Sequence, residues 1–173
     1  MRGIIKITLI LFLMLSCQNK KALKTNKEFI IYKIKLATNR DDLKRIESEL
    51  EKYTYDTLIR NNLDAISDKY YDLEKFDDYN RISNTILKQS KKINDTIGII
   101  EGLCKKGAYY SNIYKLDSMY YYYVKAENYS IETKNKYLLG TIFLNKAVIN
   151  QNLNDYYNSE KNSFEAFNIL NNK

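Results

Sequence analysis

Residues 100–127 read IEGLCKKGAYYSNIYKLDSMYYYYVKAE, and this stretch decides the fold. Its apolar residues fall into two helical runs joined by a short polar turn. In the first, Leu103, Gly107, Tyr110 and Ile113 stand at i, i+4, i+7 and i+10, one face of a helix. In the second, Met119, Tyr123 and Ala126 stand at i, i+4 and i+7, with Asp117 placed to cap the helix start. Gly107 lets the partner helix approach closely. A hairpin of this kind cannot bury its apolar face alone, but stacked neighbours can.

The same pattern recurs on both sides of this stretch. Residues 60–87 and 140–167 align with it without gaps at a spacing of forty. Leu63, Leu103 and Phe143 form one column, and the small residues Ser67, Gly107 and Ala147 another. Tyr70 and Tyr110 match, with Asn150 breaking the column; Leu73, Ile113 and Leu153 follow. Phe76, Leu116 and Tyr156 open the second half beside an Asp-rich turn, and Ile86, Ala126 and Ala166 close it. Upstream, residues 27–36 are amphipathic, and residues 39–53 place Leu43, Ile46 and Leu50 on one helical face, which predicts a further hairpin over 27–54. The chain has no proline and only five glycines, so it lacks the turn punctuation of β-rich folds. The expectation is an all-α fold, a helical-hairpin solenoid with three hairpins over 55–173.

These columns resemble the tetratricopeptide repeat. Tyr70-Tyr71-Asp72-Leu73-Glu74-Lys75-Phe76 follows that family's tyrosine-to-turn stretch without its turn glycine, and Gly107, Tyr110, Met119, Tyr123 and Ala126 fit its pattern best. The third unit keeps Ala147, Leu153, Tyr156 and Ala166 and moves its aromatic to Phe164. The family repeat is about 34 residues long, so forty implies longer helices or longer turns. The resemblance implies a concave groove lined by the first helix of each hairpin, where a protein or peptide segment would bind. Asn61, Asp64, Asp68 and Tyr71 would line it in the first unit, Glu101, Cys104, Ala108 and Ser111 in the second, and Thr141, Leu144, Val148 and Gln151 in the third. The basic clamp of the chaperone-binding members is missing from these positions.

Composition narrows the chemistry. There is no histidine, which removes the usual general base, the commonest metal ligand and any histidine triad. No phosphate loop, zinc spacing or nucleophile elbow is present, so the expectation is no enzyme, no metal and no cofactor. The net charge of +7 is dispersed, with no run of basic residues longer than two, and nucleic acid is not expected as a partner. Asp41-Asp42 and Asp77-Asp78 stand where second helices begin, so capping and the helix dipole account for them. Within Tyr120-Tyr121-Tyr122-Tyr123, helical geometry turns Tyr123, with Tyr120, toward the core. Cys104 reads as a small buried hydrophobe. Gly107 marks the packing face, and Gly102, five residues earlier, is expected to lie off it.

The first seventeen residues have a different character. Arg2 and Lys6 precede the apolar run Ile7–Leu15, which as a helix is roughly 14 Å long and too short to span a bilayer. Residues 1–16 therefore read as a signal peptide. Leu13-Met14-Leu15-Ser16-Cys17 resembles the lipobox of bacterial lipoproteins, which implies acylation at Cys17, a polar tether over 17–26 and a chain held on a membrane of the bacterial cell envelope, facing the periplasm or exterior. Removing Arg2 and Lys6 with this segment lowers the net charge to +5.

Two functions follow as expectations. The first is a membrane-anchored protein-interaction scaffold. The second is the extracytoplasmic sensor portion of a longer signalling or transcription-regulating protein, which a reading frame continuing past Lys173 into more hairpins and an output domain would favour. The absence of a capping helix after the third hairpin suits either.

Overall fold

The structure, a computed structural model, describes residues 29–171. The expected signal peptide and Cys17 lie outside the described residues. Among the described residues the fold is all-helical. Residues 29–36 form α1, followed by α2 (Arg40–Leu50), α3 (Thr57–Asp72), α4 (Phe76–Lys92), α5 (Thr96–Asn112), α6 (Leu116–Thr133), α7 (Lys136–Asn152) and α8 (Tyr156–Asn171). None of these helices is long and apolar enough to cross a membrane.

The described residues divide into two compact units, the first ending at Ile66 and the second beginning at Ser67, with the division falling inside α3. In the first, Ile30 and Ile34 of α1 are buried, as are Leu43, Ile46 and Leu50 of α2. Asn39 caps α2 by accepting from the Asp42 N–H at 3.0 Å, and Lys33 meets Glu49 at 2.7 Å. The helix thus starts one residue later than the apolar spacing suggests and stops at Leu50, before Tyr53.

The second unit is built from long helices and very short loops. From α3 to α8 each helix has 16 to 18 residues. Every intervening loop turns on a residue in the left-handed region: Glu74 (φ 56°), Asn94 (54°), Tyr114 (55°), Lys134 (55°) and Asn154 (60°). These positions are spaced by twenty without exception. The hydrogen bonds recur with them. Lys75 N–H donates to Tyr70 C=O at 2.8 Å and Glu74 N–H to Tyr71 C=O at 2.9 Å, which satisfies two carbonyls at the end of α3. Lys115 N–H to Tyr110 C=O (2.9 Å) and Asp155 N–H to Asn150 C=O (2.8 Å) repeat that closure at forty-residue steps. None of the five residues is glycine, so no C-cap glycine announced these turns in the sequence.

The core is the expected one where the two helices of a hairpin face each other. Met119, Tyr123 and Ala126 of α6 are buried with Ile99, Ile100 and Leu103 of α5 and with Ile142 and Ile149 of α7. The small-residue column of Ser67, Gly107 and Ala147 is buried throughout. A Cβ built on Gly107 would lie 2.7 Å from the Tyr123 ring, so the glycine makes room for that tyrosine.

Four expectations are corrected. Gly102 is not off the packing face: a Cβ there would come within 2.9 Å of the Leu87 Cβ and 3.1 Å of the Leu87 backbone. The reason is that α5 packs on α4 as well as α6, so it has two buried faces where a lone hairpin has one. Asp117 does not cap α6; it sits in the first turn behind Lys115, which makes no side-chain cap, and Asp77 and Asp78 stand likewise in the first turn of α4 behind Lys75. Their favourable contribution is to the helix dipole. Side-chain caps instead come from Asp95, Asn135 and Asp155. The column of Leu73, Ile113 and Leu153 sits at helix C-termini, where Leu73 is half-buried and the other two are exposed. Finally, Tyr120 is exposed while Tyr122 is half-buried, so the tyrosine run turns Tyr122 and Tyr123 inward.

Candidate functional site

The best-formed site arises from a repeated lysine. Lys106 of α5 and Lys146 of α7 are forty residues apart and both buried. In the α5–α6 hairpin, Lys106 Nζ donates to Asn80 Oδ1 at 2.8 Å and lies 5.2 Å from the Tyr110 ring centre and 5.4 Å from that of Tyr122. The two rings are stacked, with centroids 5.3 Å apart and planes 8° from parallel. The aromatic faces compensate part of the desolvation of the ammonium. Burial still lowers the Lys106 pKa, and burial together with Tyr110 raises that of the Tyr122 phenol.

In the α7–α8 hairpin the register is kept and the filling is changed. Lys146 Nζ meets Glu127 Oε2 of α6 at 2.8 Å and lies 5.1 Å from the Phe143 ring centre and 5.7 Å from that of Tyr120. The positions of Tyr110 and Tyr122, moved on by forty, hold Asn150 and Asn162. Two large rings are thereby replaced by two short amides. Beside them opens a cavity of about 770 Å³, walled by the start of α6, the second half of α7 and the start of α8. Tyr120 and Tyr121 stand at its α6 wall, and Phe143 and Lys146 at its α7 wall.

The amides are the informative groups. Asn150 is 6% exposed and Asn162 9% exposed, and both line the cavity. Among the described residues neither side-chain amide has a hydrogen-bond partner, and neither is sealed from the cavity. Both amides are therefore open to water through the cavity, and a ligand that displaces this water has to replace its hydrogen bonds. The lining also carries four carboxylates, Asp117, Glu127, Asp155 and Glu165, against the ammonium groups of Lys146 and Lys161. Glu127 is taken by Lys146, and Asp155 caps α8 through the Asn158 N–H at 3.1 Å. Asp117 and Glu165 are exposed at the mouth.

The groove residues expected from the sequence are only partly gathered. Asp68 and Tyr71 line a second, smaller cavity of about 260 Å³ with Asp72, Tyr79 and Ala108, and Asp68 Oδ1 accepts from Lys105 Nζ at 2.6 Å. Glu101 and Ser111 are half-buried on α5, and Gln151 is exposed on α7; none of the three lines this cavity. Leu144, Val148 and Gln151 lie on a face of α7 different from the one carrying Phe143, Lys146 and Asn150. Asn61 and Asp64 fall in the first unit, exposed and half-buried respectively. Cys104 is half-buried, and burial with the neighbouring Glu101 carboxylate pushes its thiol up to about 12, so it stays protonated at neutral pH. Among the described residues no cluster of side chains is arranged to hold a metal ion.

Asn150 was legible in the sequence as the residue that breaks a tyrosine column, though its meaning was not. Asn162 and Lys146 gave no separate signal; only the hairpin geometry brings them to one place. No family of known proteins matches the chain, and no curated protein is similar enough to match it.

Proposed function

We propose that the chain is a tetratricopeptide-like helical-hairpin solenoid, lipid-anchored through Cys17 behind a signal peptide at residues 1–16, that serves as a protein-interaction scaffold in the bacterial cell envelope. The observation that carries this reading is the recurrence of left-handed loop residues at 74, 94, 114, 134 and 154. Two helices of about seventeen residues and two short loops make the forty-residue unit, which accounts for the excess over the family's about 34 residues by helix length. A repeat array of this kind works by presenting surface, and here the exposed surface includes a large polar-aromatic cavity in the last described hairpin.

The anchor and the scaffold are tested separately. Cys17→Ser is expected to leave the protein unprocessed or to move it from the membrane to the soluble fraction; a wild type that incorporates no labelled acyl chain would remove the lipoprotein claim. For the scaffold, a photo-crosslinking residue at Tyr121, at the cavity wall, is expected to give discrete protein adducts in cells. The same residue at exposed Lys88 on α4 is the control. Equal adduct patterns from both positions, or none from Tyr121, would contradict the reading.

A further inference from the structure

We infer that the Asn150–Asn162 cavity binds an extended peptide segment carrying a basic side chain, with the two amides meeting the segment's backbone and the carboxylates of the mouth meeting its charge. This rests on the protein-binding function proposed above and assigns that function a site and a ligand chemistry. It places the site on the Lys146 face of α7, away from the groove that the repeat resemblance implies.

The argument starts from the unmatched amides. A carboxamide offers a carbonyl acceptor and N–H donors, the complement of the N–H and C=O of a peptide group. Asn150 and Asn162 are both more than nine-tenths buried, both line the cavity, and among the described residues neither side-chain amide is engaged. A ligand that brings backbone N–H and C=O groups satisfies them; an apolar ligand leaves them unmade, at the cost of their desolvation. The neighbouring Tyr120, Tyr121 and Phe143 supply flat apolar area on which alternate side chains of an extended segment can lie.

The charge of the ligand follows from which charged groups are already occupied. Lys146 is matched by Glu127 at 2.8 Å and so does not call for an anion. Asp117 and Glu165 have no partner among the described residues, and they outnumber the remaining Lys161. A carboxylate excess on a chain of net charge +7 is a local inversion, and it favours a lysine or arginine over an acidic residue on the ligand.

The forty-residue register shows what a site without this function looks like. In the preceding hairpin the Tyr110–Tyr122 stack takes the place of the two amides, and the cavity left beside Tyr122 is smaller, about 410 Å³. Substituting Asn150→Tyr and Asn162→Tyr together copies that stack, removes both amides and is expected to narrow the cavity.

The test is a titration of the full chain, uniformly isotope-labelled so that backbone and asparagine side-chain amides are both observed, followed by NMR. The probes are a short Gly-Ser-Ala peptide containing lysines, the same peptide with glutamates in their place, and an oligosaccharide. The lysine peptide is expected to shift the Asn150 and Asn162 side-chain amide signals, and the double tyrosine variant to weaken its binding by about tenfold or more. Preference for the glutamate peptide, or for the oligosaccharide alone, would overturn the assigned ligand. If the lysine peptide shifts other signals, such as those of Asp68 and Tyr71, and binds the variant equally, this site is wrong while a peptide-binding scaffold stands. If no peptide shifts any signal, both readings fail.

Discussion

The α5–α6 and α7–α8 hairpins keep nearly the same helix lengths, 17 and 18 residues against 17 and 16, with the same left-handed turn and the same buried lysine, yet fill two positions in opposite ways. At Tyr110 and Tyr122 the first packs ring on ring; at Asn150 and Asn162 the second leaves a cavity of about 770 Å³. The neighbouring hairpin, with rings in these places, keeps a cavity of about 410 Å³ beside Tyr122, so the opening beside the amides is the larger of the two. The comparison separates two requirements on one architecture. Backbone recurrence needs only caps, turns and small residues at the helix contact, whereas the side chains beside the lysine are free to close the hairpin or to open it.

The largest expected effect tests the closed hairpin. Gly107→Leu must displace the Tyr123 ring, which already stands 2.7 Å from where a Cβ would be. It is expected to lose about 3 kcal/mol of stability despite a gain of about 1 kcal/mol in helix propensity, as read from thermal melts of the full chain. Gly102→Ala adds one methyl against Leu87 Cβ and backbone and is expected to destabilise by about 1 kcal/mol. A stabilised Gly102→Ala would mean that α5 has one packing face and that α4 does not press on it.

The paired lysines come next. Lys146→Met strands the largely buried Glu127 carboxylate and is expected to cost about 2 kcal/mol, less than a fully buried pair because Glu127 keeps some contact with water. Lys106→Met leaves only the neutral Asn80 amide and is expected to cost under about 1 kcal/mol. Urea unfolding midpoints of the two variants decide it. Equal losses would erase the distinction between an ion-paired and an aromatic-caged lysine.

The smallest effect concerns the small-residue column. Ser67 is fully buried and its hydroxyl has no partner among the described residues, while glycine and alanine occupy the equivalent positions. Ser67→Ala is expected to stabilise by about 1 kcal/mol or less. A loss would show that the hydroxyl is engaged after all.

The all-helical character of the described residues was legible in the sequence because its signal is periodic. Leu63, Ser67 and Tyr70 are buried as their spacing requires, as are Met119, Tyr123 and Ala126. What escaped was set by neighbours that periodicity does not reveal. Gly102 was misplaced because a hairpin considered alone has one inner face, and the left-handed residue within each foreseen turn went unnoticed because Glu74, Tyr114 and Lys134 are not residues that advertise such a backbone. Of the candidate site, Asn150 could be noticed as an exception in a column, but its meaning depends on Asn162 and Lys146 arriving beside it from other turns and another helix.

The central claim is that Asn150 and Asn162 hold open a space that the fold can close. The direct measurement is the thermal melting temperature of the full chain carrying Asn150→Tyr and Asn162→Tyr, set beside that of the reciprocal Tyr110→Asn and Tyr122→Asn pair. The account predicts that the first rises by about 5 °C and the second falls by at least as much. A fall in both would contradict it, because the asparagines would then be structural residues and the cavity a consequence of packing.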